Sequence, residues 1–236
     1  MNLILLHPND QWIDHSNVRL SDDRFIHLRD VLHADVGQSV RVGALGGRIG
    51  EGLVTSVDQS GVCLRIQLRA LPPPRHRLDL VLALPRPKML RRIFRTVAEF
   101  GVSNLHLINS ARVEKSFWQT PLLNSNKVQD ALCSGLSRSS DTILPQIHFH
   151  RRFRPFVEDE LVAVCAGRPC WIADHGAPMA LTMAASGPSV VMVGPEGGFV
   201  PFEISLAESL TAQRAHLGQR ILSVDTAVTT VLAQTL

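Results

Sequence analysis

The glycine-rich segment Gly-Pro-Glu-Gly-Gly-Phe at residues 194–199 has the residue types of a ligand-binding loop. It follows an apolar run, residues 190–193, that predicts a buried strand, and Pro201 then opens a predicted helix through Ser209. Glycines at a strand end let the main chain approach a ligand closely and adopt positive φ without steric cost. The segment therefore predicts a ligand cradle of main-chain groups and one carboxylate, that of Glu196.

The motif also excludes two common sites. It lacks the Lys-Ser or Lys-Thr pair of a P-loop, and it lacks the G-x-G-x-x-G spacing of a dinucleotide fold. An uncharged or zwitterionic ligand is therefore favoured over a phosphate. A plain turn between strand and helix is the alternative, since glycine-rich turns are common.

A second glycine-bearing segment, Leu-Gly-Gln-Arg-Ile-Leu-Ser-Val-Asp-Thr-Ala, occupies residues 217–227. Gly218 breaks a short apolar approach, and Asp225-Thr226-Ala227 leads into an apolar helical pattern. Two such loops, each after a short strand, predict a single pocket between them.

The ordered pair of motifs resembles the RsmE family of the SPOUT superfamily. Its members are S-adenosylmethionine-dependent methyltransferases that modify N3 of a uridine in small-subunit (16S) ribosomal RNA. The resemblance extends over nearly the whole chain, through His27, Val31-Leu32, Gly37 and residues 98–102 and 112–116. It implies an α/β fold with an N-terminal PUA-like β-barrel that binds RNA and a C-terminal SPOUT methyltransferase domain with a trefoil knot. It also implies a homodimer and a substrate RNA within the small ribosomal subunit.

The resemblance implies S-adenosylmethionine as cofactor, held mainly by the backbone of the two loops. The implied cofactor-binding residues are Val193, Gly194, Glu196, Gly197, Gly198, Leu217, Gly218, Ile221, Leu222, Thr226 and Ala227. N3 of uridine is a poor nucleophile until its proton leaves, so the reaction needs a base or a group that stabilises the uridine anion. Glu196 and Arg138 are the candidate catalytic residues. Glu196 as an orienting or cofactor-binding group, and Arg138 as a surface arginine, are the alternatives.

Some positions depart from the family pattern. Ser223 stands where the family usually has Arg, Asp225 where it has Glu, and His33 where Arg is common. Residues 135–145 match the family's usual loop poorly, apart from Arg138 and Pro145. RNA contacts from this loop therefore do not follow from the resemblance.

The predicted helix over residues 88–100 carries a basic stripe opposite an apolar one. Lys88, Arg91, Arg92 and Arg95 fall on one helical face, and Arg86 lies just before. Like charges so placed repel one another, and a phosphate backbone would relieve that repulsion. These five residues are therefore the predicted RNA-binding residues, with an ordinary solvated helix face as the alternative.

Composition sets wider limits. The 236 residues suit one large or two small domains, and a 45% hydrophobic content supports a proper core. There is no apolar run long enough to span a membrane. Four scattered cysteines without C-x-x-C spacing favour reduced thiols in a cytoplasmic protein and no metal site. A net charge of +3 permits nucleic-acid binding without demonstrating it.

Three consecutive prolines mark the expected domain boundary, since they disfavour both helix and central strand. We therefore expect a β-rich RNA-binding domain at 1–71, a linker at 72–76 and the methyltransferase domain at 77–236. Period-two alternation over residues 62–69 predicts a strand with one wet face. After the linker, predicted strands and helices alternate, which favours a mostly parallel sheet.

The sequence alone leaves two alternative functions open. A related SPOUT enzyme acting on transfer RNA would share the cofactor site but needs no N-terminal barrel. A non-catalytic RNA-binding assembly factor of the ribosome would retain the fold without binding the cofactor. The predicted barrel argues against the first, and the intact glycine loops argue against the second.

Overall fold

The computed structural model describes residues 2–184 and 187–236, and the chain divides into two compact units. The first unit comprises the chain up to Pro74 together with Cys133–Leu144. The second comprises Arg75–Leu132 and Pro145–Leu236. The sequence pattern does not predict that Cys133–Leu144 belongs to the first unit, because the helical periodicity continues across Leu132 without a break.

Strands and helices divide unevenly between the two units. The strands of the first unit are β1 Ile4–Leu6, β2 Gln11–Trp12, β3 Asn17–Leu20, β4 Ser39–Ala44, β5 Ile49–Val57 and β6 Val62–Ala70. Those of the second unit are β7 Leu78–Ala83, β8 Asn104–Ile108, β9 Gln146–His150, β10 Cys170–Ala173, β11 Ser189–Val193 and β12 Ala212–Ala215. The α-helices are α1 Asp23–Asp30, α2 Pro87–Glu99, α3 Ser125–Ser139, α4 Phe153–Pro155, α5 Leu161–Cys165, α6 Leu181–Ala184, α7 Pro201–Leu210 and α8 Val224–Gln234. Two 3₁₀ turns, Lys115–Gln119 and Pro121–Leu123, precede α3, and a π-helical segment, Phe156–Glu160, joins α4 to α5.

The first unit is built on a mixed six-stranded sheet in the order β1-β4-β5-β6-β3-β2. Strands β1 and β4 pair in parallel, and the other pairs are antiparallel. Alternate residues of β6, Val62, Leu64 and Ile66, are buried in one core with Phe25 and Leu28 of α1. The predicted alternation is therefore confirmed, and it explains why this sheet has one wet face.

A bulge bends β5 against β6 at Gly50. The register shifts between Ile49 and Gly50, and a Cβ at Gly50 would lie only 1.9 Å from the Gln67 carbonyl oxygen. Only glycine tolerates so close an approach of two backbones. The bulge therefore depends on the residue type at this position.

The second unit has a six-stranded parallel sheet in the order β12-β10-β11-β7-β8-β9. Every residue of β7 and β11 is buried, as expected for central strands of a parallel sheet covered on both faces. The α/β class predicted from the sequence is confirmed. The sequence pattern does not predict strands β3 and β9, because they are short and partly polar. The short strand expected before the second glycine-bearing loop is β12.

A histidine cluster lies at the β8–β9 edge of this sheet. The ring of His106 stacks on that of His148, with 4.4 Å between centroids, and its Nδ1 lies 3.1 Å from Nε2 of His150. The carboxylate of Glu160 lies 3.1 Å from His150 Nδ1. Burial, and then the charges of His148 and His150, lower the pKa of His106 to about 4, so its imidazole is neutral at physiological pH.

Neither a spanning helix nor a metal cluster is found in the described residues. None of the helices there combines the length and apolar character needed to cross a membrane. Within residues 2–184 and 187–236, no group of three or more His, Cys, Asp or Glu side chains is arranged to hold a metal ion. The four cysteines are free thiols.

Candidate functional site

The loop after β11 folds back on itself at the carboxyl edge of the parallel sheet. Gly198 has φ +71°, and its N–H donates to the Pro195 carbonyl over 2.8 Å. A Cβ at Gly194 would lie 3.0 Å from the Phe199 nitrogen and 3.1 Å from Gly198 Cα. A side chain at Gly194 would therefore push apart the main chain that forms the loop.

The second glycine-bearing loop follows β12 at the same edge. Gly218 has φ +135°, and its N–H donates to Nδ1 of His216 over 3.2 Å. The Leu217 carbonyl accepts from the Gln234 side chain of α8 over 3.3 Å. Because β11 and β12 both run parallel to β10, the two loops emerge from the same edge of the sheet.

The two loops and the end of β10 line one open pocket. Strand β10 contributes Asp174 and His175, which follow its last residue directly. The full lining is Ala173, Asp174, His175, Val193, Gly194, Pro195, Glu196, Gly198, Leu217, Gly218, Arg220, Leu222, Val224 and Ala227. Ligand sites at the carboxyl ends of parallel strands are the general pattern for α/β sheets.

Eight of the residues expected at a cofactor site lie in this pocket: Val193, Gly194, Glu196, Gly198, Leu217, Gly218, Leu222 and Ala227. Three others lie outside its lining. Ile221 is 83% exposed, Thr226 shares a 2.9 Å hydrogen bond with the Ser223 hydroxyl, and the space beside Gly197 is occupied by the Arg112 side chain. The main-chain groups of these three residues stay candidates for cofactor contact.

The pocket also holds Asp174 and Arg220, which the sequence does not single out, and His175, which it marks only as a weak catalytic candidate. Asp174 accepts a hydrogen bond from Arg214 over 3.4 Å and from the Gly176 N–H over 3.5 Å. The sequence does contain a signal for Asp174 and His175, because polar residues directly after a buried parallel strand lie at the ligand-binding edge of the sheet.

Two of the predicted RNA-binding arginines form ion pairs with carboxylates of the two glycine-bearing segments, those of Glu196 and Asp225. Nε of Arg86 lies 3.5 Å from the Glu196 carboxylate, and Nη1 of Arg92 lies 2.7 Å from that of Asp225. Arg95 pairs more loosely with Glu99 on α2 itself, at 4.0 Å. Three of the five predicted RNA-binding residues are therefore engaged in ion pairs.

The Asp225 carboxylate begins α8 and accepts from a close neighbour on the loop. The Ser223 hydroxyl donates to it over 2.7 Å. That hydrogen bond, and then the one from Arg92, lowers the pKa of Asp225 below its ordinary value. The second loop is thus tied to the start of α8 and, through Arg92, to α2.

A buried glutamate fixes the far side of the first loop. Glu203, only 3% exposed, accepts from the Ser110 hydroxyl over 3.1 Å, the Ala111 N–H over 2.7 Å and the Val200 N–H over 3.0 Å. Arg112 donates in addition to the Gly197 carbonyl. The segment after β8 therefore positions the glycine loop from behind.

Arg138 lies in the part of α3 that belongs to the first unit. It is exposed, and its backbone carbonyl accepts from the Asn2 side chain over 2.7 Å. It is not among the residues that line the pocket. Its candidacy as a catalytic residue rests on the sequence alone.

The pocket has the chemistry of a site for a ligand with one apolar ring and one cationic end. Val193, Leu217, Leu222, Val224 and Ala227 offer an apolar wall. Asp174 and Glu196 offer two carboxylates, and the glycine loops offer main-chain N–H and C=O groups that can read the edge of a ring.

Comparison with known proteins gives a consistent result. Residues 72–236 match the model of a family described as the RNA methyltransferase domain. The chain is 25% identical over 236 residues to ribosomal RNA small subunit methyltransferase E of Treponema pallidum, covering 96% of this chain and 87% of that protein. It is 20% identical to ribosomal RNA small subunit methyltransferase E 1 of Borreliella burgdorferi, with 96% and 94% covered.

Solved structures share the fold over the whole length. Ribosomal RNA small subunit methyltransferase E of Neisseria gonorrhoeae, bound to S-adenosyl methionine, superposes with a TM-score of 0.75 at 19% identity, covering 99% of this chain and 95% of that one. A Legionella pneumophila protein described as a methyltransferase, in complex with the same cofactor, gives a TM-score of 0.73 at 18% identity, with 99% and 96% covered.

Proposed function

The chain belongs to the RNA methyltransferase domain family, and on that premise we propose that it methylates N3 of a uridine in 16S ribosomal RNA with S-adenosylmethionine as methyl donor. The observation that carries the proposal is the single pocket between the loops of residues 194–199 and 217–222. The names of the Treponema and Borreliella relatives support ribosomal RNA as the substrate class.

The pocket residues fit this cofactor on three counts. Gly194 and Gly198 keep main chain, not side chain, at the inner wall, and a Cβ at Gly194 would displace it. The apolar wall of Leu217, Leu222 and Val224 suits an adenine face. The carboxylates of Asp174 and Glu196 suit the ribose hydroxyls and the positively charged end of the donor.

When bound, the cofactor supplies an electrophilic methyl group on a sulfonium, so the protein need not activate that group. The loops orient the ligand within the pocket. What remains for the protein is the N3 proton of the uridine.

Glu196 is the proposed acceptor of that proton. Its carboxylate lines the pocket, is partly exposed to solvent, and has Arg86 at 3.5 Å to hold its orientation. Arg138 is the proposed stabiliser of the uridine anion. Both roles are tested by the variants E196Q and R138Q, which should lower kcat much more than they weaken cofactor binding.

We further propose, from the family resemblance, that the mixed sheet closes as a PUA-like RNA-binding barrel, that the C-terminal segments form a trefoil knot and that the enzyme is a homodimer. The shared core on one side of the mixed sheet is consistent with a barrel. Sedimentation equilibrium tests the dimer, and a crystal structure with cofactor tests the chain path.

One assay tests the main proposal against its rivals. The protein is incubated with S-adenosylmethionine labelled in the methyl group and either small ribosomal subunits, free 16S RNA or transfer RNA. We expect label in 16S RNA, recovered after nuclease digestion as 3-methyluridine. Label in transfer RNA, or none in any RNA despite bound cofactor, would contradict the proposal.

A further inference from the structure

A second cavity of the same unit lies between α2 and the beginning of α3. Its volume is about 220 Å³, and it shares no residue with the pocket of the glycine loops. It is lined by Arg91, Phe94, Leu122, Lys127, Asp130 and Ala131.

The rim of this cavity carries uncompensated positive charge. Arg91 and Lys127 are exposed, and neither forms an ion pair with any residue in the described part of the chain. Asp130 is the one acidic residue of the lining, so the cavity has a net charge of +1 from two cations and one carboxylate. Arg86, Arg92 and Arg95 differ, because each already has a carboxylate partner.

The floor of the cavity is apolar. Phe94 and Ala131 are buried, and Leu122 is half-buried. An apolar floor under a cationic rim suits a nucleotide, whose base or sugar covers apolar surface while its phosphate meets the cations.

Helix α2 also relates this cavity to the cofactor pocket. Arg86 at its beginning contacts Glu196 of the first glycine loop, and Arg91 follows five residues later. Five residues of α-helix span about 7.5 Å.

We propose that this cavity binds a nucleotide of the substrate RNA other than the methylated uridine. Its phosphate lies between Arg91 and Lys127, and its base or ribose covers Leu122, which is half-buried. The inference rests on the proposed function, because it needs RNA to be the substrate. Of the five predicted RNA-binding residues, Arg91 lines this cavity, and Lys127 joins it as a newly assigned one. Lys88 stays a predicted RNA-binding residue outside the cavity.

The test measures binding of purified 16S RNA over a range of salt concentrations. The variants are R91Q, K127Q and D130N, with R154Q as the control. Arg154 is exposed and pairs with Glu158 on the α4–α5 helical segment, so its loss removes the same charge outside the cavity. S-adenosylmethionine affinity, measured by calorimetry, checks that each variant is folded with an intact pocket.

We expect R91Q and K127Q each to weaken RNA binding at least fivefold more than R154Q does. The slope of log affinity against log salt should fall by about 0.7 to 0.9 for each phosphate that the variant no longer neutralises. D130N should strengthen binding about two- to threefold, because it removes the one carboxylate that lines the cavity beside the phosphate. Cofactor affinity should stay unchanged in all four.

Two results would overturn the proposal. One is that R91Q and K127Q match R154Q in affinity and slope, or that D130N weakens binding. The other is that R91Q shifts the sedimenting mass while RNA binding is kept, which would make the cavity an interface between two copies of the chain. Failure of the proposed function is distinguishable, since it would appear as wild-type protein that binds 16S RNA without methylating it.

Discussion

The guanidinium of Arg92 donates to the Asp225 carboxylate over 2.7 Å, and this ion pair joins α2 to the first turn of α8. Arg92 is largely exposed, whereas Asp225 is only 12% exposed and also accepts from Ser223. The carboxylate at a helix N-terminus gains from the helix dipole as well. The two partners therefore contribute unequally to stability.

We expect R92Q to lower the free energy of unfolding by less than about 1 kcal/mol, because the pair is half exposed. D225N should cost more, since it also removes the charge from the start of α8. Because the pKa of Asp225 is lowered in the folded state, its contribution is present above the ordinary carboxyl pKa and is lost as the pH falls below it. Urea denaturation of both variants and the double variant measures these costs. A larger loss for R92Q than for D225N would contradict the argument.

The glycine loop gives a steric prediction. G194A places a methyl group 3.0 to 3.1 Å from backbone atoms of Gly198 and Phe199, which cannot move without changing the loop. We expect affinity for S-adenosylmethionine to fall at least tenfold while the circular dichroism spectrum is kept. Calorimetry provides the measurement. G187A is the matched control, because a Cβ there meets nothing within 4 Å. Equal affinity of G194A and G187A would remove the loop from the cofactor site.

Glu203 gives a prediction about buried polar groups. E203Q keeps the shape of the side chain but turns one acceptor oxygen into an NH₂ donor. That group then faces either the Ala111 N–H or the Ser110 hydroxyl and Val200 N–H, depending on which oxygen is replaced. We expect a loss of about 2 to 3 kcal/mol in the free energy of unfolding. Cofactor affinity should fall too, because Glu203 positions the glycine loop. Urea denaturation of E203Q beside E208Q, an exposed glutamate paired with Arg214, gives the comparison. If E203Q and E208Q lowered the free energy of unfolding by similar amounts, the buried hydrogen bonds of Glu203 would not stabilise the fold more than an exposed ion pair does.

The histidine cluster gives a pH dependence. The pKa of His106 falls from 6.5 to about 4 in the folded state, mainly because of burial. The unfolded chain therefore binds a proton between these two values while the folded chain does not, so stability decreases as the pH is lowered through this window. A shift of this size corresponds to about 3 kcal/mol. The rings of His148 and His150 face that of His106, and the Glu160 carboxylate in turn faces His150.

The measurement is urea denaturation at pH 7.5, 6, 5 and 4 for wild type and H106Q. We expect the wild type to lose more stability than H106Q over this range, with most of the difference arising between pH 6.5 and 4. Parallel curves for the two proteins would mean that His106 does not determine the acid sensitivity of the fold.

How much of the fold follows from the sequence depends on how strongly each segment is patterned. The sequence predicts helix α2 at 88–100 and the structure has it at Pro87–Glu99, because a full apolar stripe and an N-terminal proline fix its phase. The predicted apolar stripe opposite the basic one is buried at Leu90, Ile93, Phe94, Val97 and Ala98 and half-buried at Met89. Strand β9, with the sequence QIHFH, lacks such a pattern, since it lies at the sheet edge and its burial comes from a histidine stack.

The candidate site shows the same limit. The glycines of residues 194–199 and the apolar run before them are enough to predict the first loop from the sequence. Asp174 becomes a site residue only because β10 pairs in parallel with both β11 and β12, a relationship between segments far apart in the chain. The ion pairs of Arg86 and Arg92 depend likewise on tertiary neighbours, so helical spacing alone could not separate paired from unpaired arginines.

The return of Cys133–Leu144 to the first unit has a consequence for how this protein can be divided. The hydroxyl of Thr142 donates to the Gly47 carbonyl over 2.6 Å, and its own carbonyl accepts from Gly46 over 2.8 Å. A fragment ending at the proline-rich linker would lack both interactions, although it would retain every strand of its sheet. Neither unit is formed by one uninterrupted stretch of the chain, so cleavage at the prolines alone would not release two complete units.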